Sequence, residues 1–191
     1  MSGWHVNSAL IPILSEYADR ERKDSSGDLW QLVSALLNLL IITMALLVLV
    51  IELVAPYIIR VVASDESTPE IINEATELLR ITSPALFFLS LFAVLSSLLY
   101  AMRRFALPAF AGAAFNLTIV ISTIIFADQL GITGVAIGWL LGAIVQVVLQ
   151  WIGLRGMKLR YHRILWHPAI RTMAILYAPV MFSLALDVLI N

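Results

Sequence analysis

The side chains that could do chemistry in this chain are few, and they sit within or at the edge of long apolar runs. Asn38, Glu52, Asn116, Gln146, Gln150 and Asp187 are the polar groups so placed. An acid or amide in hydrocarbon is expensive, so each must face a neighbouring helix or a water-filled pathway. Glu52 is the acid well inside the longest run, and Asn38 precedes it on nearly the same helical face. Two readings of Glu52 stand. It is a cavity-lining or proton-coupled carboxylate, or it lies near the outer headgroups just before Pro56, where an acid costs little. Asn116 and Gln146 either line a pathway or hydrogen-bond between helices for about 1 kcal/mol each. Asp187 falls near the end of the last run.

The elements that position these groups are membrane spans. Apolar residues make up 61% of the 191 and charged residues 13%, with a net charge of −1. An ordinary soluble domain has roughly 45–50% and 25%, and the mean hydropathy of +0.94 belongs to a polytopic membrane protein. Residues 81–101 and 108–127 form two uncharged runs around the basic turn Arg103-Arg104-Phe105-Ala106-Leu107-Pro108. Each is long enough, as a helix, to cross roughly 30 Å of hydrocarbon. With so short a link, the second helix is expected to return alongside the first. Pro108 suits the first turn of the outgoing helix, where a missing N–H costs nothing. Arg103 and Arg104 then hold an anionic substrate at a cytoplasmic mouth or anchor the turn to lipid phosphate.

The remaining runs complete five spans. Residues 1–28 form a cytoplasmic N-terminal segment: the end of a truncated or interfacial helix, then a solvated loop of alternating charge through Ser25-Ser26-Gly27. Residues 29–191 form the bundle, with spans at about 29–59, 81–101, 108–127, 132–153 and 169–191. Pro56 marks the exit of the first. The acidic excursion 60–80 carries Ile71, Ile72, Ala75, Leu78 and Leu79 at helical spacing, which predicts a short amphipathic helix on the membrane surface. Residues 128–131 read as a tight turn. Gly134, Gly138 and Gly142 repeat every four residues and put bare backbone on one face, suited to close helix packing or to a sliding surface. The fold expected is an all-α membrane bundle of five transmembrane helices with one amphipathic surface helix.

Charge orients the bundle. Of the twelve Lys and Arg residues, ten fall on one side of this five-span arrangement and two on the other. The basic side is cytoplasmic by the positive-inside rule. The chain has no cysteine, so disulfide, thiolate and haem-attachment chemistry are excluded. The N-terminus lacks a basic region followed by an apolar core, the pattern of a cleavable signal. His162 and His167 stand in a basic loop without metal-ligand spacing, and no cofactor or metal is implied. No phosphate loop, nucleophile elbow or carboxylate pair points to an enzyme, and nothing points to nucleic acid.

Several stretches resemble one family. Residues 9–17, Ala-Leu-Ile-Pro-Ile-Leu-Ser-Glu-Tyr, resemble the A-F-V-P-V-L-S-E-Y close of the second helix of MurJ (MviN) lipid II flippases. Leu78-Leu79-Arg80-Ile81-Thr82-Ser83-Pro84 is similar to that family's L-L-R-I-x-x-P lead into helix four. Arg104-Phe105-Ala106-Leu107-Pro108-Ala109 resembles its R-F-x-x-P-A turn before helix five. Asn116 falls on an L-N position of that helix, and Gly142, Gln146 and Gln150 follow the pattern of helix six. The resemblance covers late helix two to early helix seven of about fourteen. It implies part of a flippase in the bacterial cytoplasmic membrane, with membrane lipid, a polyprenyl-pyrophosphate-linked saccharide (lipid II) and the flippase's remaining helices as partners. The arginines and acid that the family's first two helices supply are missing, as is the glutamate of its F-A-E-G motif, here Met1-Ser2-Gly3-Trp4. A related saccharide-lipid exporter, or a scaffold that packs through its glycine face, are the other readings.

The charge count generates a test. Cysteines introduced at Ser67 and Gln129 should react with an impermeant thiol reagent added to intact cells, and one at Ser25 should not. Labelling at Ser25 with protection at Ser67 would invert the orientation.

Overall fold

The computed structural model describes residues 3–24, 27–63 and 67–155. Its helices are α1 (Gly3–Asp24), α2 (Asp28–Val62), α3 (Pro69–Ala101), α4 (Ala106–Leu130) and α5 (Ile132–Leu154). Among the described residues, α2 to α5 are each long and apolar enough to cross a membrane, and the chain is an all-α polytopic membrane bundle. The span expected at 169–191 lies outside the described residues, with Asp187, His162 and His167.

Local chemistry sets most helix ends. Gly27, with φ of 81°, takes the left-handed conformation before α2, and its N–H donates to Glu21 Oε2 at 2.7 Å. Thr68 caps α3 by accepting the Ile71 N–H, and Pro69 occupies its first turn. The α3 end is a Schellman motif: the Arg104 N–H reaches Leu99 O at 2.8 Å and the Arg103 N–H reaches Tyr100 O at 2.9 Å. Arg103 itself has φ of 61°, the left-handed position that glycine usually holds there.

Several sequence expectations are corrected. The charged stretch read as a loop after Tyr17 is the end of α1, because its alternating charges pair along one helix face, Arg20 with Glu16 and Arg22 with Asp19. Pro56 does not end α2, which continues to Val62. No separate surface helix precedes the second span: residues 69–101 form one continuous helix through Pro84. One local contact accompanies that continuity: the Ser83 hydroxyl lies 3.4 Å from Arg80 O, the carbonyl that Pro84 cannot serve. At 1.5 Å per residue, α2 and α3 are both roughly 50 Å long, so their shared end projects past the hydrocarbon. The turn at 128–131 contracts to Gly131 alone, whose φ of 52° and ψ of −127° favour glycine.

The expected α3–α4 hairpin does not form. Beyond their connecting turn these helices hardly meet, because α5 lies between them, antiparallel to α4 and parallel to α3. The glycines of α5 decide this. A Cβ built on Gly134 would fall 2.8 Å from Phe126 Cβ, and one on Gly138 would fall 2.9 Å from Ser122 Cβ and 3.3 Å from Ile119 Cα. Gly142 seats the Phe115 ring, which stands edge-on to Trp139. Such backbone approach is how helices gain contact in lipid, where hydrophobic burial offers no preference for protein over acyl chain.

The packed core sits at one end. Leu14 and Ala18 of α1, Leu29, Leu32 and Val33 of α2, Leu95, Leu98 and Leu99 of α3, and Leu154 of α5 form one buried cluster. That end also carries Arg20, Arg22, Lys23, Arg103, Arg104 and Arg155. At the opposite end α2 and α3 line a small groove of 150 Å³.

Gly138→Ala should lower the detergent melting temperature, at a cost of about 1–3 kcal/mol, because Ile119 backbone cannot move aside cheaply. Gly112→Ala, where a Cβ meets nothing within 4 Å, should be neutral or slightly stabilising. Arg103→Gly should stabilise by about 1 kcal/mol through relief of the left-handed strain; equal melting of wild type and variant would refute that account.

Candidate functional site

The polar residues of the spans divide into separate groups. One group is a buried layer between α2, α3 and α5. The Gln150 Nε2 group donates to Ser96 Oγ at 3.0 Å, and Gln150 is fully buried. Met44 Sδ accepts from the Ser90 hydroxyl at 3.3 Å, and Glu52 meets Ser83 farther along. This antiparallel register brings Asn38 to the level of Ser96 and Ser97. Ser34, Asn38, Ser96 and Ser97 are all buried. Gln146, also buried, donates from Nε2 to Ala111 O of α4 at 3.3 Å. The Oε1 atoms of Gln146 and Gln150 have no partner among the described residues.

Glu52 stands apart from that layer. It is half-buried at the α2–α3 seam, where its Oε1 accepts the Ser83 hydroxyl at 2.5 Å. With Ala45, Val48, Leu49, Pro84, Phe87 and Phe88 it lines a lateral groove of 380 Å³. Ser83 is buried at 2% exposure, so this contact is made inside the helix pair and not at its rim.

Asn116 is brought to neither place. It lies exposed midway along α4, and its Nδ2 group donates to Gly112 O of its own helix at 3.0 Å. The basic pair splits. Arg103 is exposed at the turn, whereas Arg104 Nη1 donates to Gly153 O of α5 at 2.7 Å. The Arg104 guanidinium therefore satisfies a terminal carbonyl and sits at the negative end of the α5 dipole. Arg104 ties the α3–α4 turn to the end of α5. Gly134, Gly138 and Gly142 make helix contact with α4, as described above.

Sequence reasoning did not single out Ser83, Ser96 or Ser97. The adjacent serines at 96 and 97 inside an apolar run were a visible signal, since a hydroxyl there must find an acceptor. Ser97 meets this locally by donating to Ala93 O at 2.9 Å. No cluster of three or more His, Cys, Asp or Glu residues that could hold a metal occurs among the described residues.

This arrangement can present amides and one carboxyl within a membrane without opening the backbone to lipid. Comparisons with known proteins agree with the residue motifs. A family model described as lipid II flippase MurJ matches residues 3–190. The lipid II flippase MurJ of Burkholderia cenocepacia is 27% identical over 97% of this chain, which spans 38% of that protein. The lipid II flippase MurJ of Thermosipho africanus is 30% identical over 73% of this chain and 28% of its own length. A solved structure of a lipid II flippase MurJ in an inward closed conformation aligns with a TM-score of 0.69 and 22% identity, over 94% of this chain and 38% of that one. That match shows a shared fold. The chain thus spans well under half the length of these relatives. With the family model matching nearly its whole length, this chain belongs to the MurJ lipid II flippase family.

Proposed function

We propose that the chain supplies part of a lipid II flippase of the bacterial cytoplasmic membrane, which moves the undecaprenyl-linked peptidoglycan precursor from the cytoplasmic to the outer face for cell-wall synthesis. The observation that carries this reading is the family match over residues 3–190. The physical task is consistent with it. A disaccharide pyrophosphate cannot cross hydrocarbon, so a flippase encloses the head in a polar cavity between helix units that open alternately to each side. The role is transport, not bond chemistry.

Within this part, Asn116 is the pathway candidate the geometry favours. An amide exposed in the middle of a span, satisfied only by its own helix, is unfavourable against lipid and suited to a water-filled cavity. Gln146 and Gln150 are turned inward and bond α5 to α4 and α3, and Asn38 is buried on α2. Arg103 remains free to meet phosphate at the cytoplasmic surface, while Arg104 is engaged with α5.

A chimeric flippase tests the assignment. Residues 3–190 placed in the corresponding segment of the Burkholderia relative should sustain growth of flippase-depleted cells, whereas residues 1–191 alone should not. A folded chimera that cannot flip lipid II would refute the function. In the working chimera, Asn116→Leu should leave melting within about 0.5 kcal/mol of the parent yet reduce flipping. Gln150→Leu should instead lower stability by about 1–3 kcal/mol, since Ser96 loses its buried partner. If both variants unfold, Asn116 is a structural hydrogen bonder and not a pathway residue.

A further inference from the structure

The contact between Glu52 and Ser83 lies beside a break in the helical bonding of α3. Pro84 follows Ser83 within α3. In a helix the N–H of residue 84 would bond to the carbonyl of residue 80, and proline has none to give. Arg80 O is therefore left without its helical donor, and Ser83 Oγ lies 3.4 Å from it. The same oxygen lies 2.5 Å from Glu52 Oε1. Ser83 has one hydroxyl hydrogen and two acceptors within reach, one of which carries a titratable charge. We propose that Glu52 is a proton-binding site whose occupancy decides which acceptor Ser83 serves.

The step balances with a single proton. In the charged state the Glu52 carboxylate accepts the Ser83 O–H. A proton taken from solvent adds to a Glu52 carboxylate oxygen and converts it to a donor. The new Glu52 O–H then donates to Ser83 Oγ. The Ser83 hydrogen rotates toward Arg80 O, the carbonyl that Pro84 left open. In both states the Ser83 hydroxyl and the Glu52 oxygen facing it are paired, and only the second state also serves Arg80 O. Without proline at 84, the Arg80 carbonyl would already hold a helical N–H, and the second state would be less favoured.

Among the described residues no charged partner faces Glu52. On α2 no other charged residue lies between Asp28 and Arg60, and Tyr57 and Arg60 are exposed. On α3 the nearest charges, Arg80, Glu77 and Glu74, are exposed. The charged residues of α1, including Glu16, Asp19, Arg20, Glu21, Arg22 and Lys23, belong to the opposite end of the bundle. Helix α5, which packs on the far side of α3, carries no charged residue. Neither ion pair among the described residues involves Glu52. The groove of 380 Å³ beside Glu52 gives the site an open side and room for the two helices to shift.

Infrared difference spectroscopy on the full chain in lipid nanodiscs tests this, stepping from about pH 9 to about pH 4. A protonated-carboxyl band should appear that is absent from Glu52→Gln, and Ser83→Ala should move both its frequency and its midpoint. The absence of native cysteine permits spin labels at exposed Leu53 and Leu86. The distance between them should change with pH in the parent and stay at its low-pH value in Glu52→Gln, whose neutral amide donates to Ser83 at every pH. A parent without a Glu52-dependent band, or a label distance in Glu52→Gln that follows pH as the parent's does, would overturn the proposal. Should Ser83→Ala fail to fold, Ser83→Thr keeps the hydroxyl and should keep the band, and its loss there would also count against the site.

Discussion

The approach of α5 backbone onto α4 backbone is the contact on which the arrangement depends. In lipid, a leucine on one helix gains little by leaving acyl chains for another leucine, so association rests on close packing and hydrogen bonds. Gly134, Gly138 and Gly142 remove the side chains that would keep the axes apart, and Phe126, Ser122, Ile119 and Phe115 fill the space. Once α5 is fixed to α4, its remaining surface lies against α3. Gly153 there admits Leu99 and Leu107 side chains, and Gln150 reaches Ser96. The sequential neighbours α3 and α4 are thereby separated by a helix that follows both in the chain.

Hydrogen bonding explains the rest of the interior. Several threonine and serine hydroxyls in the spans return to their own helix carbonyls, as Thr82 does to Leu78 O and Thr118 to Ala114 O. This hides the polar atom and asks nothing of a neighbour. Gln150 reaches across helices and makes an interhelical bond at the level where Asn38 and Ser97 are also buried. Glu52 does the same with Ser83, but through a group that can change charge. The bundle is thus tightly packed near its basic end and opens into the groove beside Glu52.

The basic turn shows one segment meeting two demands. Lys and Arg at this end set orientation in the membrane. Arg104 also satisfies the Gly153 carbonyl, and Arg103 accepts a left-handed backbone at a position where glycine would be easier. A positive charge stands at the turn there in spite of the backbone strain.

The all-α membrane class was legible from the sequence because it rests on local quantities, run length and charge. The glycine repeat also announced a packing face without needing its partner. Family membership was readable from short motifs in order. What the sequence alone could not decide was neighbourhood. Short links join α4 to both α3 and α5, and the glycine contact decided for α5. The excursion at 60–80 read as a separate surface helix, whereas α3 runs from Pro69 through Pro84, where the Ser83 hydroxyl lies near the carbonyl that proline leaves open. Asn116 and Gln150 read alike as amides in apolar runs. Which one points outward and which reaches Ser96 is set by the rotation of α4 and α5 about their axes, and that rotation exists only once the helices have packed.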